Sequence, residues 1–122
     1  MNDPIEIFTQ KVNEEVQKHY GENNYGIDPL TIIAIINIIY NIYKAIMIIY
    51  FLKEDKDIVN SLQHPNFLTR VIIGREVRKA LKDSSSDHQD VTKGVLINVI
   101  RQYGESELKT LLSQIREKKN ER

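Results

Sequence analysis

Cysteine is absent from the 122 residues of this chain. Its absence excludes disulfide scaffolds, thiolate metal sites and cysteine nucleophiles, and it leaves the redox compartment undetermined. An excess of one charge is also absent, because 17 lysines and arginines are balanced by 17 aspartates and glutamates. The chain as a whole therefore has no electrostatic attraction to nucleic acid or to an anionic membrane.

Export signals are missing from the first residues, MNDPIEIFTQKVNEEV. This stretch lacks the basic start and the continuous apolar run of a signal peptide. We therefore expect the protein in the cytoplasm of a host cell or in a particle, such as a virion, that is assembled there.

Catalytic and metal-binding patterns are missing too. The sequence contains no G-x-S-x-G, P-loop or G-x-G-x-x-G motif, and its carboxylates are scattered without an acid and base pair. His19, His64 and His88 lie on different predicted elements without the spacing of metal ligands. We predict no enzyme activity, no catalytic residue, no metal and no cofactor.

Apolar residues do recur every three or four positions over most of the chain, and no alternating strand pattern occurs. The prediction is an all-α fold with five or six helices around one long, central, isoleucine-rich helix, in a single helical domain over 1–122. It comprises an amphipathic helix over 3–20, a long apolar helix over 29–52, a basic helix over 66–82 and a C-terminal helical pair over 90–115.

Turn and cap signals separate these helices. The glycines and asparagines of residues 20–26 predict a turn, and the polar residues 82–90 predict a loop. Pro65 is expected to end a short helix at the preceding residue. Gly104 is expected to end the next-to-last helix, and Ser106 to cap the last one.

The segment from Leu30 to Leu52 contains ten isoleucines and three tyrosines. Its polar residues distinguish a helix from a strand. Asn37, Asn41 and Lys44 are spaced by four and three, which places all three on one face of a helix. On a strand Lys44 would lie opposite the two asparagines. The segment is predicted to be a helix with a polar stripe.

Three interpretations of this helix remain. Its 23 residues would rise about 35 Å, enough to span a membrane, but Lys44 near the centre would cost about 2.5–3.5 kcal/mol. It is otherwise either the core of a helical bundle or a contact for other subunits. We favour the contact, which makes a homo-oligomer or a complex with other structural proteins the expected state.

Two faces of the helix are candidates for that contact. Leu30, Ala34, Asn37, Asn41, Lys44, Ile48 and Phe51 follow the a/d rhythm of a coiled coil. The isoleucine face is the predicted oligomer or partner contact, and it comprises Ile35, Ile38, Ile39, Ile42, Ile46 and Ile49. The sequence does not choose between the two faces.

The basic helix is the other functional candidate. Its possible anion contacts are Arg70, Arg75, Arg78, Lys79 and Lys82, which are offset only by Glu76. The last four recur at spacings of three and four, so they can share one face and contact phosphates. Nucleic-acid binding is nevertheless less favoured than a solvated face or a partner contact, since aromatic interleaving and a helix-turn-helix pattern are missing. Phe67 or Leu68 is expected to begin the apolar stripe of this helix, followed by Ile73, Val77 and Leu81.

The stretch YGIDPLTIIAIINIIYNIYK, residues 25–44, resembles small proteins of contractile-tailed marine phages, especially those that infect cyanobacteria. The matching residues run from Ile27 to Ile32, and YGESELKTLL, residues 103–112, is similar to a second segment of that family. The resemblance implies a virion component without assigned chemistry. The sequence thus predicts a non-enzymatic structural or assembly protein, with a small membrane-inserting protein and a nucleic-acid accessory protein as alternatives.

Overall fold

A computed structural model of the protein describes residues 3–20 and 29–120. Over these residues the fold is all-helical, which confirms the predicted class. The six described helices are α1 (Pro4–Tyr20), α2 (Pro29–Ile49), α3 (Asp55–Gln63), α4 (Phe67–Ala80), α5 (Ser86–Arg101) and α6 (Glu105–Asn120). The predicted turn over 20–26 lies largely outside the described residues.

Local hydrogen bonds explain where the helices begin. The carboxylate of Asp3 accepts a hydrogen bond from the Ile5 amide at 3.1 Å, as a first-turn cap does. The Asn66 side chain caps α4 in the same way by accepting from the Thr69 amide at 2.8 Å. Ser85 accepts from the His88 amide at 3.1 Å, so α5 begins inside the segment that was predicted to be a loop.

Gly104 and Ser106 have roles other than the predicted ones. Helix α5 ends at Arg101 and its C-cap is Gln102. The C′ position therefore falls on Tyr103 and not on Gly104. Gly104 instead precedes α6, and its amide donates to Oε1 of Glu107 at 3.3 Å. This is the carboxylate half of a capping box, in which the third helical residue reaches back to the cap. The prediction that Ser106 caps α6 was therefore wrong.

The helices pack around one apolar cluster. Helix α2 packs against α3, α4 and α6, whereas α1 packs against α5 and α6. Helix α3 also packs against α5 and α6, and α4 packs against α5. The largest fully buried side chains come from all six helices and are Phe8, Ile38, Ile42, Ile46, Ile58, Leu62, Ile72, Ile73, Leu96, Leu108, Leu111 and Leu112. Each such side chain stabilises the fold by roughly 1.5–3 kcal/mol through its burial.

Helix α4 turns a different face to the core from the one predicted. Ile73 and Val77 are buried as expected, and Ile72 and Thr69 join them. Phe67 and Leu68, however, are exposed. The predicted start of the apolar stripe was wrong because Asn66 caps the helix at a rotation that points Thr69 inward and both of its predecessors outward.

Candidate protein-contact site

The isoleucine face predicted for subunit contacts lies mainly inside the chain. Ile35, Ile38, Ile39, Ile42 and Ile46 all belong to the buried core cluster. Only Ile49 of the predicted set is partly exposed. This corrects the assignment of those five residues, because side chains already packed against the chain's own helices offer no surface to another subunit.

The polar stripe of α2 lies where its spacing predicts, on the outward side. Asn41 and Lys44 are exposed, and Asn37 is half-buried. The Lys119 ammonium of α6 donates to Oδ1 of Asn37 and lies 5.5 Å from the centre of the Tyr40 ring. The Lys44 ammonium lies 5.3 Å from the same ring. The end of α6 therefore covers part of this stripe and leaves its second half open.

Apolar side chains stand at the surface where the polar stripe ends. Phe51 is 85% exposed and Ile48 is 62% exposed, although both follow the a/d rhythm of the stripe. In the first two turns of α4, Phe67 is 84% exposed, and Leu68 and Val71 are exposed as well. We call Ile48, Phe51, Phe67, Leu68 and Val71 the contact face. Isolated exposed apolar residues are ordinary, but these five lie at the end of α2 and in the first two turns of α4, two helices that pack against each other, and clustered exposed apolar residues mark interaction sites.

Hydrogen bonds hold the two halves of the contact face together. The Tyr50 hydroxyl donates to Oδ1 of Asn66 at 2.9 Å and lies 3.1 Å from the Thr69 hydroxyl. Tyr50 directly precedes Phe51, and Asn66 directly precedes Phe67. The end of α2 and the first turn of α4 are thus fixed side by side. The two halves of the contact face are therefore preorganised within the chain itself.

Phe51 has an unusual backbone. Its φ of 55° is the one positive value at a non-glycine residue in the described parts of the chain. The Phe51 amide bonds to the Ile48 carbonyl at 3.3 Å and the Leu52 amide to the Met47 carbonyl at 3.0 Å, which is the Schellman pattern of a helix end. Glycine is the usual residue at this position, since a bulky side chain is strained in the left-handed region. The phenyl ring is therefore kept at the surface at a cost to stability.

The outward face of α4 changes character along its length. Phe67, Val71, Arg75 and Arg78 follow one another at steps of four, four and three, which is one stripe of a helix, and Lys82 lies two residues beyond the end of α4 at Ala80. All are exposed. The first half of the stripe is apolar and belongs to the contact face. The second half, together with Lys79 and Lys82, is the cationic half of α4.

Only part of the positive charge in this cationic half is neutralised. Glu76, which is buried, lies 3.2 Å from Arg75 and 3.6 Å from Lys79. Arg78 and Lys82 have no acidic partner within salt-bridge distance among the described residues. Lys93 of α5 adds a further cation, since its ammonium lies 3.2 Å from the place that a Cβ on Gly74 would occupy. The missing side chain at Gly74 makes room for this lysine.

Arg70 stands apart from the other predicted anion contacts. Its Nε donates to the Pro65 carbonyl at 3.5 Å, and its position lies away from the stripe that carries Arg75 and Arg78. Of the five predicted cations, Arg75 and Lys79 share the carboxylate of Glu76 and Arg78 lies on the same stripe as Arg75. Lys82 follows the end of the helix, and Arg70 is separate from the others.

A polar cluster surrounds the buried Tyr43 on another side of α2. The Tyr43 hydroxyl donates to Oδ1 of Asp55 at 2.8 Å and accepts from Nη1 of Arg116 at 3.0 Å. Nη2 of Arg116 donates to Oδ2 of Asp55 at 3.0 Å. Burial and the hydrogen bond to Asp55 raise the pKa of Tyr43 above its ordinary value of 10.0, while the Arg116 charge opposes the rise. This cluster joins α2, α3 and α6, and its ion pair is partly exposed, since the side chains of Arg116 and Asp55 are 38% and 28% exposed.

Other surfaces offer less. An open cleft of about 630 Å³ is lined by Gln63, His64, Pro65, Arg101 and Tyr103, and Gln63 already donates across it to the Tyr103 carbonyl at 2.7 Å. Within residues 3–20 and 29–120 no three histidines or carboxylates are grouped as metal ligands would be. None of the helices described combines the length and the apolar character that crossing a membrane requires.

Comparison with protein-family models, curated proteins and solved structures finds no match to this chain. The contact face was not predicted from the sequence, which suggested that Phe67 or Leu68 begins the apolar stripe of its helix. One signal was present. Ile48 and Phe51 continue the a/d rhythm of three polar residues, so they share the face that Asn41 and Lys44 place in solvent.

Proposed function

We propose that this protein is a non-enzymatic assembly protein that binds other protein subunits through its contact face. The observation that carries the proposal is Phe51, a ring almost fully in solvent on a backbone that favours glycine. Strain of this kind persists where the surrounding structure imposes it, and it clusters at functional sites. In this proposal the long α2 organises the chain, with its isoleucines inside and its outward end ready for a partner.

The composition of the surface agrees with a protein partner. Interfaces between proteins are enriched in aromatic residues and arginine, and the contact face with the cationic half of α4 supplies both. Two phenylalanines that would each bury about 150–250 Å² can act as the anchors that dominate binding.

The resemblance of residues 25–44 and 103–112 to small virion proteins of tailed phages suggests where such an assembly would occur. We therefore propose a structural component of a phage particle, made in the host cytoplasm. The first phage-like stretch leads into α2, whose far end forms half of the contact face.

Photo-crosslinking tests the assembly role directly. p-Benzoylphenylalanine would replace Phe67 in the contact face and, as a control, Glu117, which is exposed on α6. After illumination in the cells that make the protein, we expect discrete protein adducts from position 67 and not from position 117. Equal adduct yields at both positions, or none at either, would contradict a contact role for this face.

A second candidate function rests on the cationic half of α4. Arg78 and Lys82 are exposed without acidic partners in the described chain, so they can contact nucleic-acid phosphates. Retention on duplex DNA would then fall steeply between about 0.05 and about 0.5 M salt. An Arg78→Gln/Lys82→Gln variant that binds DNA as well as the wild type at low salt would rule this candidate out.

A further inference from the structure

We propose that the partner of this protein is a different protein, which presents an amphipathic helix with apolar residues at one end and carboxylates at the other. This inference rests on the proposed function and names the chemistry of the partner. The residues that carry it are Phe51 and Phe67 at one end of the surface and Arg78 and Lys82 at the other.

The first argument is the order of residues along α4. Phe67 and Val71 precede Arg75 and Arg78 on a single exposed stripe of the helix, and exposed Lys82 follows two residues after the helix ends at Ala80. From residue 67 to residue 78 this stripe is about 17 Å long, or about three helical turns. A complementary segment must therefore present apolar side chains over its first or last turn and negative charge over the remaining turns.

The second argument is charge complementarity. Within α4 the one acidic residue is Glu76, which is buried and already paired with Arg75 and Lys79. Arg78 and Lys82 have no counterion in the described chain, and Lys93 lies against Gly74 beside them. Carboxylates on the partner would form the missing pairs, which contribute mainly to orientation and to the rate of association.

A second copy of this chain fits the surface poorly. The large exposed apolar side chains of the described residues lie on α2, on α4 or at Phe51 directly after α2. Helix α2 contains no acidic residue, and the acidic residue of α4 is buried. Neither helix therefore offers an acidic and apolar surface, and pairing two α4 helices would leave the cations of both unmatched.

A lipid surface also fits less well than a protein. Helices that lie on membranes carry their apolar and charged residues on opposite sides, so that only the apolar side is buried. In α4 the two kinds of residue succeed each other on the same side. Moreover, Phe51 and Phe67 are held in fixed positions through the Tyr50–Asn66 hydrogen bond, and preorganisation favours a partner with a defined shape.

Selection from a library of random peptides of about 15 residues tests this inference with no assumption about the natural partner. The full chain would be the bait, and Phe51→Gly and Arg78→Glu/Lys82→Glu variants would be used for counter-selection. We expect enriched peptides that combine helically spaced apolar residues with aspartate or glutamate at one end. Each variant should weaken their binding by about tenfold or more, and binding should fall at high salt.

Phe51→Gly separates binding from folding. Glycine suits the left-handed backbone at this position, so the variant should keep or raise the melting temperature while it loses binding. If the melting temperature falls sharply, Phe67→Ser replaces it as the test variant. Phe67 is 84% exposed and has a regular helical backbone, so its loss should not disturb the core.

The alternative outcomes separate the two proposals. Peptides that need Phe51 but carry no acidic bias would overturn the acidic partner and leave the contact role intact. Failure to enrich any peptide that distinguishes the wild type from Phe51→Gly would overturn both. A Phe51-dependent dimer in light scattering would point to a second copy. Phe51-dependent sedimentation with vesicles of phosphatidylcholine and about 30% phosphatidylserine would point to a membrane. Either of the last two results would also overturn the acidic partner.

Discussion

The two sides of α2 distribute polar and apolar groups in opposite ways. Toward the core, Tyr43 places a hydroxyl between Asp55 and Arg116, where both Asp55 oxygens and both terminal nitrogens of Arg116 have a partner within 3.0 Å. Toward solvent, Ile48 and Phe51 expose apolar surface with nothing of the described chain to cover it. Stability of the isolated chain explains the first arrangement, since a buried polar group must be hydrogen-bonded. It does not explain the second, for which the proposed binding of another protein would account.

The largest expected effect is a difference in stability between two aspartate substitutions, one on each side of α2. Ile42→Asp places a charge in the core, where Ile42 is 1% exposed, and should destabilise the fold by more than about 4 kcal/mol. Ile48→Asp, on the exposed side, should change stability by no more than about 0.5 kcal/mol. Urea unfolding followed by circular dichroism measures both. Similar losses in the two variants would mean that Ile48 is not at the surface.

A smaller effect, on the pH dependence of stability, is expected from Tyr103. This residue is buried, and its hydroxyl, unlike that of Tyr43, has no hydrogen-bond partner among the described residues. Burial raises the pKa of Tyr103 to about 12, and the Glu107 carboxylate adds to the rise. The folded chain thus retains a proton that the unfolded chain loses above about pH 10. The associated stability is complete below pH 10 and is lost as the pH rises toward 12, by about 2–3 kcal/mol in total.

Tyr103→Phe is the matched variant for this pH dependence. Between about pH 9 and about pH 11, the wild type should lose about 1 kcal/mol more unfolding free energy than the variant. At neutral pH the variant should be as stable as the wild type or more stable, because it removes an unpaired buried hydroxyl. Parallel pH profiles for the two proteins would show that Tyr103 ionises equally in the folded and unfolded states.

The smallest effect concerns Tyr43, for which the same substitution should have the opposite sign. Tyr43→Phe removes the hydrogen bonds to Asp55 and from Arg116 and leaves their ion pair without its third member. We expect a loss of about 1 kcal/mol at neutral pH, which chemical denaturation can measure. If Tyr43→Phe left the unfolding free energy unchanged, the Tyr43 hydroxyl would contribute nothing to stability through these hydrogen bonds.

The spacing of apolar and polar residues predicted most of the helices, and the position of a helix cap decided which face of α4 is buried. The spacing of Asn37, Asn41 and Lys44 correctly placed a polar stripe on the outer side of α2. The same spacing could not show that the isoleucines on the other side would be covered by the chain's own α3, α4 and α6, because coverage depends on long-range packing. On α4 the apolar stripe was predicted to begin one residue too early. Leu68 was expected in the core, whereas Thr69 is the residue buried there.

The candidate site was less predictable than the fold for a related reason. The cations of α4 were identified from their spacing, since charge is visible in the sequence. The exposure of Phe67 was not, because an aromatic residue is more often buried than exposed and the side to which Phe67 points depends on how Asn66 caps α4. The tertiary hydrogen bond from Tyr50 to Asn66 joins the two halves of the contact face across 16 positions of sequence.

The amide oxygen of Asn66 accepts from both the Thr69 backbone and the Tyr50 hydroxyl. One acceptor therefore serves the first turn of α4 and the end of α2, and neither end can fray without releasing a bond of the other. The two helix ends should consequently open as one cooperative unit in native-state hydrogen exchange, with a shared opening free energy. A molecule that orders one of them would slow exchange at both, even where it touches only one.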